Sequence, residues 1–440
     1  MARHLVTHKI DTADLRIGMY VTALEVPWSL TEFPLEGVLV KSAQDIVRLS
    51  KYGRRVEIDQ SKSQSRDSLQ NIAKAVSSIS DKASPAKNTI PSTSILWRKF
   101  CTESYKVKVP IAKQLKKADE LLDRVHNVFD DLKKDLSNNQ VRSIDNVREV
   151  SHRIVSTLLD NPDALLWLTK VKIQHGKVYD HIVRSAIWAT LMGRSMGLKS
   201  ASLNTLVEAL LLSGIGKAYL SQQVWKDHNP ADMKPEFASA VHKTIEKLSH
   251  CQVDPRVLMI IGNMNERYDG SGYSSQKSLD KIPYLAQMAG LVETFDLILH
   301  PMCSKKRRAF GQALSRLYCF RDSLFNGALI EEFIRATGLY PSGTVVVLSN
   351  GYRGVVVEQT KDRRIRATVA LTHDAQDYRL MNYKIAGLGA GEYANVIIKE
   401  EANLHQINDD DMQKINLLIK QYQQGKLAKI FSSSKRLFSS

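Results

Sequence analysis

A chain of 440 residues with 43% hydrophobic content has the size and apolar share of two or three folded domains, which excludes a disordered polymer. No apolar run approaches the roughly 20 residues that span a bilayer, Met1 to Asp14 lacks the apolar core of a signal peptide, and four scattered cysteines fit a reducing, cytoplasmic setting. The formal charge of +16 would attract anions at long range, yet the basic residues fall in separate stretches without a zinc-finger or RNA-recognition signature. A solvated basic surface is the first reading of that charge, and a nucleic-acid interface stands well behind it.

The first unit, residues 1–60, reads as a small α+β domain. Lys9-Ile10 and Leu15 to Val21 suggest short strands around a turn at Gly18, and Gly37 to Val40 suggests another. Ser42 is placed to cap a short helix reaching Lys51, and Val56 to Asp59 alternates as a closing strand. Residues 61–100 are polar and serine-rich, with Pro85 and Pro91, and read as a flexible linker with one exposed helix. Helical spacing governs residues 101–337: Ile111, Leu115, Leu121, Val125, Val128 and Leu132 recur at helical intervals, as do Val147 to Leu159 and Leu165 to Val171. Asn161-Pro162 marks the break between the last two. The long helix through Leu132 would pack on its own domain or, as a second outcome, form a homodimer.

Over 338–400, two β-branched runs, Val345 to Leu348 and Gly354 to Val357, flank Asn350-Gly351 and predict a hairpin, with Ala367 to Leu371 pairing alongside. In 401–440, Met412, Ile415, Ile419 and Tyr422 keep helical spacing before a basic, serine-rich tail. A frayed terminus is the plain reading of this stretch, and a partner-docking or lipid-touching helix the alternative.

Within the helical region, Leu210 to Leu220 reads Leu-Leu-Leu-Ser213-Gly214-Ile215-Gly216-Lys217-Ala-Tyr-Leu. Further on comes Glu266-Arg267-Tyr268-Asp269-Gly270-Ser271-Gly272-Tyr273-Ser274, followed by Ile282-Pro283. In order and spacing these stretches resemble the HD-GYP family of bacterial cyclic di-GMP phosphodiesterases, and the first unit is similar to the small domain that often precedes them. The resemblance implies a mainly α fold: an all-helical HD-type domain with a small N-terminal α+β domain and a C-terminal β-hairpin or small sheet. It also implies divalent iron or manganese, held by histidines and aspartates around a bridging carboxylate that activates water.

Taken position by position, the resemblance leaves few such donors. His181, His242 and Glu293 match metal-ligand positions and remain capable donors. Ser213 and Gly214 stand where the family has its histidine and bridging aspartate, and Met264 and Asn265 where it has two consecutive histidines. No metal cofactor is therefore expected, and no catalytic residue. A residual site from His181, His242 and Glu293 is the weaker reading, because those positions serve different metals in the family. Lys217 has the placement of a lysine near the scissile phosphate and is expected to act only as a residual phosphate contact.

The GYP-like loop is the most specific match. Gly270 and Gly272 are expected to allow positive φ, Asp269 to bond loop amides, and Tyr273 to stand at the rim, while Ser274 replaces the family's proline. Lys217, Arg267, Asp269 and Tyr273 are the candidate ligand-binding residues. Gln287 stands where the family commonly has arginine, so cyclic di-GMP binding is expected to be weak or absent. The plain reading of the loop is a rigid staple on the helices. The functional reading is a docking surface for a protein partner, and the resemblance implies a GGDEF-type diguanylate cyclase as its class. Together these observations predict a degenerate, catalytically inactive signalling component that binds a protein or a nucleotide. The alternatives are an active phosphodiesterase with a rebuilt metal site, and a basic nucleic-acid-binding protein.

Overall fold

A computed structural model describes residues 7–15, 19–26, 31, 38–40, 43–53, 55–59, 101–137, 144–172, 177–226, 235–273, 275–302, 308–359, 367–402, 410–411 and 413–422. The linker expected over 61–100, the turn at Gly18, the cap at Ser42, the loop residue Ser274 and the basic tail lie outside the described residues. The chain divides into two units, 1–92 and 93–440.

In the first unit, alternating apolar residues build a small antiparallel sheet. Strands β1 (Thr7–Asp11), β2 (Tyr20–Leu24), β3 (Val38–Leu39) and β4 (Arg55–Asp59) take the order β1-β4-β2-β3, with helix α1 (Ala43–Leu49) between the last two in sequence. Ile10 pairs opposite Val56, and Ile10, Val21, Val56 and Ile58 turn to one core with Leu49 of the helix. The expected strand over Leu15 to Val21 begins only at Tyr20. A 3-10 turn at Thr12–Asp14 redirects the chain, and Leu15 and Met19 enter the core from irregular backbone.

The second unit is helical for most of its length. Its helices are α2 (Ile111–Ser137), α3 (Ile144–Asp160), α4 (Pro162–Lys172), α5 (Lys177–Met196), α6 (Ser200–Lys217), α7 (Gln222–Lys226), α8 (Pro235–Leu248), α9 (Pro255–Asn263), α10 (Tyr284–Leu299), α11 (Phe310–Tyr318) and α12 (Gly327–Thr337). The break before α4 falls at Asn161, whose side chain accepts a hydrogen bond from the Asp163 amide at 2.9 Å. α6 runs through the middle: every residue from Thr205 to Lys217 is buried, and the helix packs against α3, α5, α8 and α9. Trp188 of α5, Phe295 of α10, Phe310 of α11 and Phe333 of α12 form one buried aromatic cluster, with ring centroids 4.7 to 6.4 Å apart.

One glycine sets how closely α6 and α8 approach. The Gly216 amide donates to Thr244 Oγ1 at 2.9 Å, and a methyl group at this position would stand 1.7 Å from the Ala240 carbonyl oxygen. Gly216→Ala should therefore destabilise the protein by about 2–3 kcal/mol, because backbone rather than a movable side chain fills the space. Gly311→Ala is the control, since nothing lies within 4 Å of a methyl added there. Urea midpoints of the two variants would check this, and equal midpoints would contradict it.

Beyond α12, strands β5 (Val345–Leu348), β6 (Arg353–Gln359), β7 (Ala367–His373), β8 (Arg379–Gly387) and β9 (Ile398–Glu401) form an antiparallel sheet of order β8-β7-β6-β5-β9. The β5–β6 turn carries Asn350-Gly351, with Gly351 at φ +87°. Residues 413–422 form a last helix, α13. Ile415 and Ile419 are buried in the main core, and Asn416 Oδ1 accepts a hydrogen bond from Trp167 Nε1 at 2.7 Å. This is the C-terminal helix expected within 401–440, and it is not frayed: a buried apolar face and a hydrogen-bonded tryptophan anchor it to α4.

Candidate functional site

Helical spacing brings the site together. His181, Arg184 and Trp188 share one face of α5 at intervals of three and four, as do Ser213 and Lys217 on α6 and Glu293 and Asp296 on α10. Where the three helices meet, these side chains form two linked clusters, both buried.

The first cluster centres on Asp296, which is fully buried. Its Oδ1 accepts from Arg184 Nε at 2.8 Å, from His300 Nδ1 at 3.1 Å and from Trp188 Nε1 at 3.4 Å. Its Oδ2 accepts from His181 Nδ1 at 2.9 Å and from Arg184 Nη2 at 3.1 Å. Burial alone would raise this carboxyl, but the Arg184 guanidinium, His300 and the hydrogen bond from His181 outweigh it and hold Asp296 well below the usual carboxylate range. An ionised carboxylate only accepts, so the His181 proton sits on Nδ1.

That hydrogen bond leaves His181 Nε2 facing the second cluster. Nε2 is buried, has no hydrogen-bond partner among the described residues and lies 4.0 Å from Glu293 Oε1. The same Glu293 oxygen receives the Lys217 ammonium in a buried ion pair. Lys217 Nζ also donates to Ser213 Oγ at 2.9 Å, and Ser213 Oγ donates to the Leu210 carbonyl at 2.7 Å. Trp225 stands edge-on to His181 at 6.2 Å and to Phe237 at 5.3 Å, and together with Met302 and Tyr273 it makes an apolar cluster beside the site.

The sequence-predicted residues are not all here. His181 and Glu293 meet, but His242 is exposed. The buried face of α8 runs through Phe237, Ala240, Val241, Thr244 and Leu248, and position 242 falls off that phase. Gly214 is also turned away from the carboxylates: a side chain there would meet Ile182 Cδ1 at 2.3 Å and Phe129 at 3.6 Å. Met264 is buried, and Asn265 donates to the Phe237 carbonyl at 3.4 Å. Lys217 and Arg267, read as ligand contacts, are committed elsewhere. Lys217 belongs to Glu293. Arg267 is buried, donates to the Met264 and Glu266 carbonyls at 3.3 and 2.9 Å, and lies 5.0 Å from the Phe325 ring centroid. Burial pulls its pKa down to about 10 although nearby carboxylates oppose the shift.

The GYP-like loop is a stapled turn. Glu266 Oε1 and Oε2 accept from the Ser275 and Lys277 amides at 2.7 and 3.0 Å, and Asp269 Oδ1 accepts from the Ser271 amide at 2.9 Å. Gly270 adopts φ +84° as expected. Gly272 does not need positive φ. It is required because a methyl there would stand 2.4 to 2.5 Å from the Arg267 and Asn265 backbone. Asp269 is exposed, whereas Tyr273 is half-buried and its amide donates to the Asn265 carbonyl at 3.1 Å.

A divalent metal would need more than this site provides. His181 Nε2 and Glu293 are the two free-facing donors, Glu293 is already neutralised by an ammonium group, and Ser213 is a weak ligand at neutral pH. Among the described residues, no group of three or more His, Cys, Asp or Glu is arranged to hold a metal ion. Iron and manganese sites use about four to six donors, typically imidazole and carboxylate, so the residues present do not fit one.

Arg184, Trp188, Asp296 and His300 escaped assignment from sequence. The available signal was the pair of three-residue steps, His181 to Arg184 and Glu293 to Asp296, from residues already read as metal-ligand positions.

The chain contains an HD domain: residues 160–329 match that family, and residues 7–147 match a domain of unknown function, DUF3391. A cyclic di-GMP phosphodiesterase of Pseudomonas aeruginosa is 25% identical over 402 residues, covering 90% of this chain and 92% of that protein. Among solved structures, the HDG"Y"P protein Bd1817 of Bdellovibrio bacteriovorus matches with TM-score 0.38 and 13% identity over 74% of this chain and 98% of that one. A cyclic GMP-AMP-specific phosphodiesterase of V. cholerae matches with TM-score 0.29 and 16% identity over 42% of this chain and 47% of that one. No helix among the described residues is long and apolar enough to cross a membrane.

Proposed function

We propose that this chain acts in cyclic di-GMP signalling without hydrolysing the dinucleotide, using an HD domain as a binding scaffold. The observation that carries this reading is the Lys217–Glu293 pair: a side-chain ammonium neutralises the carboxylate that faces His181. A fixed cation there opposes a second, divalent one, and it activates no water. The likeness to a cyclic di-GMP phosphodiesterase supports the signalling context. The burial of Lys217 and Arg267 supports weak or absent cyclic di-GMP binding, since neither charged group reaches the surface to meet phosphate.

The partner in this reading is a protein, of the GGDEF-type diguanylate cyclase class, docking on the stapled loop. The exposed Asp269, Ser271 and Leu279 form its accessible edge. Asp269→Lys should weaken capture of such a cyclase while leaving the melting temperature unchanged, and undiminished capture would move the interface elsewhere.

The decisive experiment is metal analysis of the purified full chain, followed by incubation with cyclic di-GMP and added Mn²⁺ or Fe²⁺. Substoichiometric metal and no linear product are expected. Stoichiometric metal with turnover that a chelator stops would instead establish a rebuilt phosphodiesterase centre.

A further inference from the structure

The second unit contains a cavity of about 440 Å³ that none of the HD-site side chains line. Its walls are the extended segment 103–107, the start of α4, the last turns of α5, the end of α12 and the end of β6. The volume lies within the roughly 300–1,000 Å³ common for small-ligand sites. Tyr105, Leu166 and Leu191 supply apolar surface, while Arg194 and Arg335 supply positive charge.

The two arginines differ. Arg335 is held by Glu332, one helical turn away. Among the described residues, Arg194 hydrogen-bonds the Leu159 carbonyl alone, through Nε at 3.5 Å, and its Nη2 is buried without a hydrogen-bond partner. An unsatisfied buried donor on a charged group is costly unless something pairs with it. Asp163 lies nearby, but the Ser342 hydroxyl donates to it at 2.5 Å, and burial raises its carboxyl to about 7 in spite of that bond and of Arg194. At neutral pH it therefore neutralises Arg194 only in part. Glu103 is exposed.

We propose that this cavity binds a small organic oxyanion, a phosphate or carboxylate held by the Arg194 guanidinium, with the organic body against Tyr105, Leu166 and Leu191. Nε is on the Leu159 carbonyl and Nη2 is closed to solvent, so the anion would meet the guanidinium at its remaining nitrogen through a charge-assisted hydrogen bond. The site goes beyond the signalling reading and does not depend on it, because no altered HD position takes part. Loss of one leaves the other standing.

Calorimetric titration of the full chain with GMP and with citrate tests the proposal, using inorganic phosphate and ionic-strength-matched sodium chloride as references. Saturable binding of GMP or citrate, stronger than that of inorganic phosphate, is expected. GMP alone would identify a phosphate ester as the source, and citrate alone a carboxylate. Arg194→Gln should weaken binding by at least about tenfold. Ser195→Phe keeps Arg194 and lies on an exposed position lining the cavity, so it should fold normally and block entry. The proposal is overturned if neither probe binds, if inorganic phosphate binds equally well, or if Ser195→Phe binds like the parent chain.

Discussion

Lys217→Met should destabilise the protein by about 3–5 kcal/mol, and Glu293→Leu should do nearly the same, because each leaves the other charge buried and unpaired. Both groups are more than nine-tenths buried, so solvent screens their interaction little. The double variant, Lys217→Met with Glu293→Leu, should recover most of that loss. Two apolar side chains of similar volume would then replace two desolvated ions, an exchange that is often neutral or stabilising by about 1–4 kcal/mol. Denaturant unfolding of the parent, both single variants and the double would read this cycle. Additive losses would show that the ammonium and the carboxylate are not a unit, and the substitute-cation reading would fall with them. In an intact metalloenzyme of this fold, removing such a carboxylate would be felt first in metal content. Here it should be felt in stability.

Asp296→Asn is the second large effect. The substitution keeps the shape but strands the Arg184 guanidinium at a buried position and removes the acceptor that orients His181 and His300. A loss of about 3–5 kcal/mol at neutral pH is expected. The pH dependence has a definite sign. The folded Asp296 carboxyl lies below its ordinary value, so the unfolded chain binds the proton more readily. Its contribution is complete above the ordinary aspartate pKa of about 4 and fades as pH falls through the depressed folded value. The gap between parent and Asp296→Asn should therefore narrow on acidification. Unfolding free energies at neutral pH and in the acid limb would check it, and a constant gap would assign the loss to packing alone.

The helical phase of α2, α3 and α4, and the hairpin at Asn350-Gly351, were legible because each rests on local spacing or local turn chemistry. Motif order singled out His181 and Glu293 as donors but assigned them to different metals, so their meeting was only the weaker reading. His242 was not: its motif position suggested an inward ligand, but facing is decided by which side of α8 packs against α6, and Ala240 and Thr244 take that side. Arg184 and Asp296 were marked only by their three-residue steps from His181 and Glu293, and such local spacing does not tell which distant helix supplies the partner. Lys217 was placed correctly on its helix, and its tertiary partner changed its meaning. The docking of α13 depended on a tryptophan some 249 residues away, a separation that no window along the chain can see.

The direction in which Gly214 faces has an engineering consequence. Writing histidine and aspartate into positions 213 and 214 would not by itself build a bridging ligand, because a side chain at 214 would start toward Ile182 and Phe129. A dinuclear centre would also need the Lys217 ammonium moved off Glu293 and further donors at positions such as Met264 and Asn265. Installing a metal centre on this scaffold is thus a matter of re-aiming position 214 and freeing Glu293, and not of exchanging two residues.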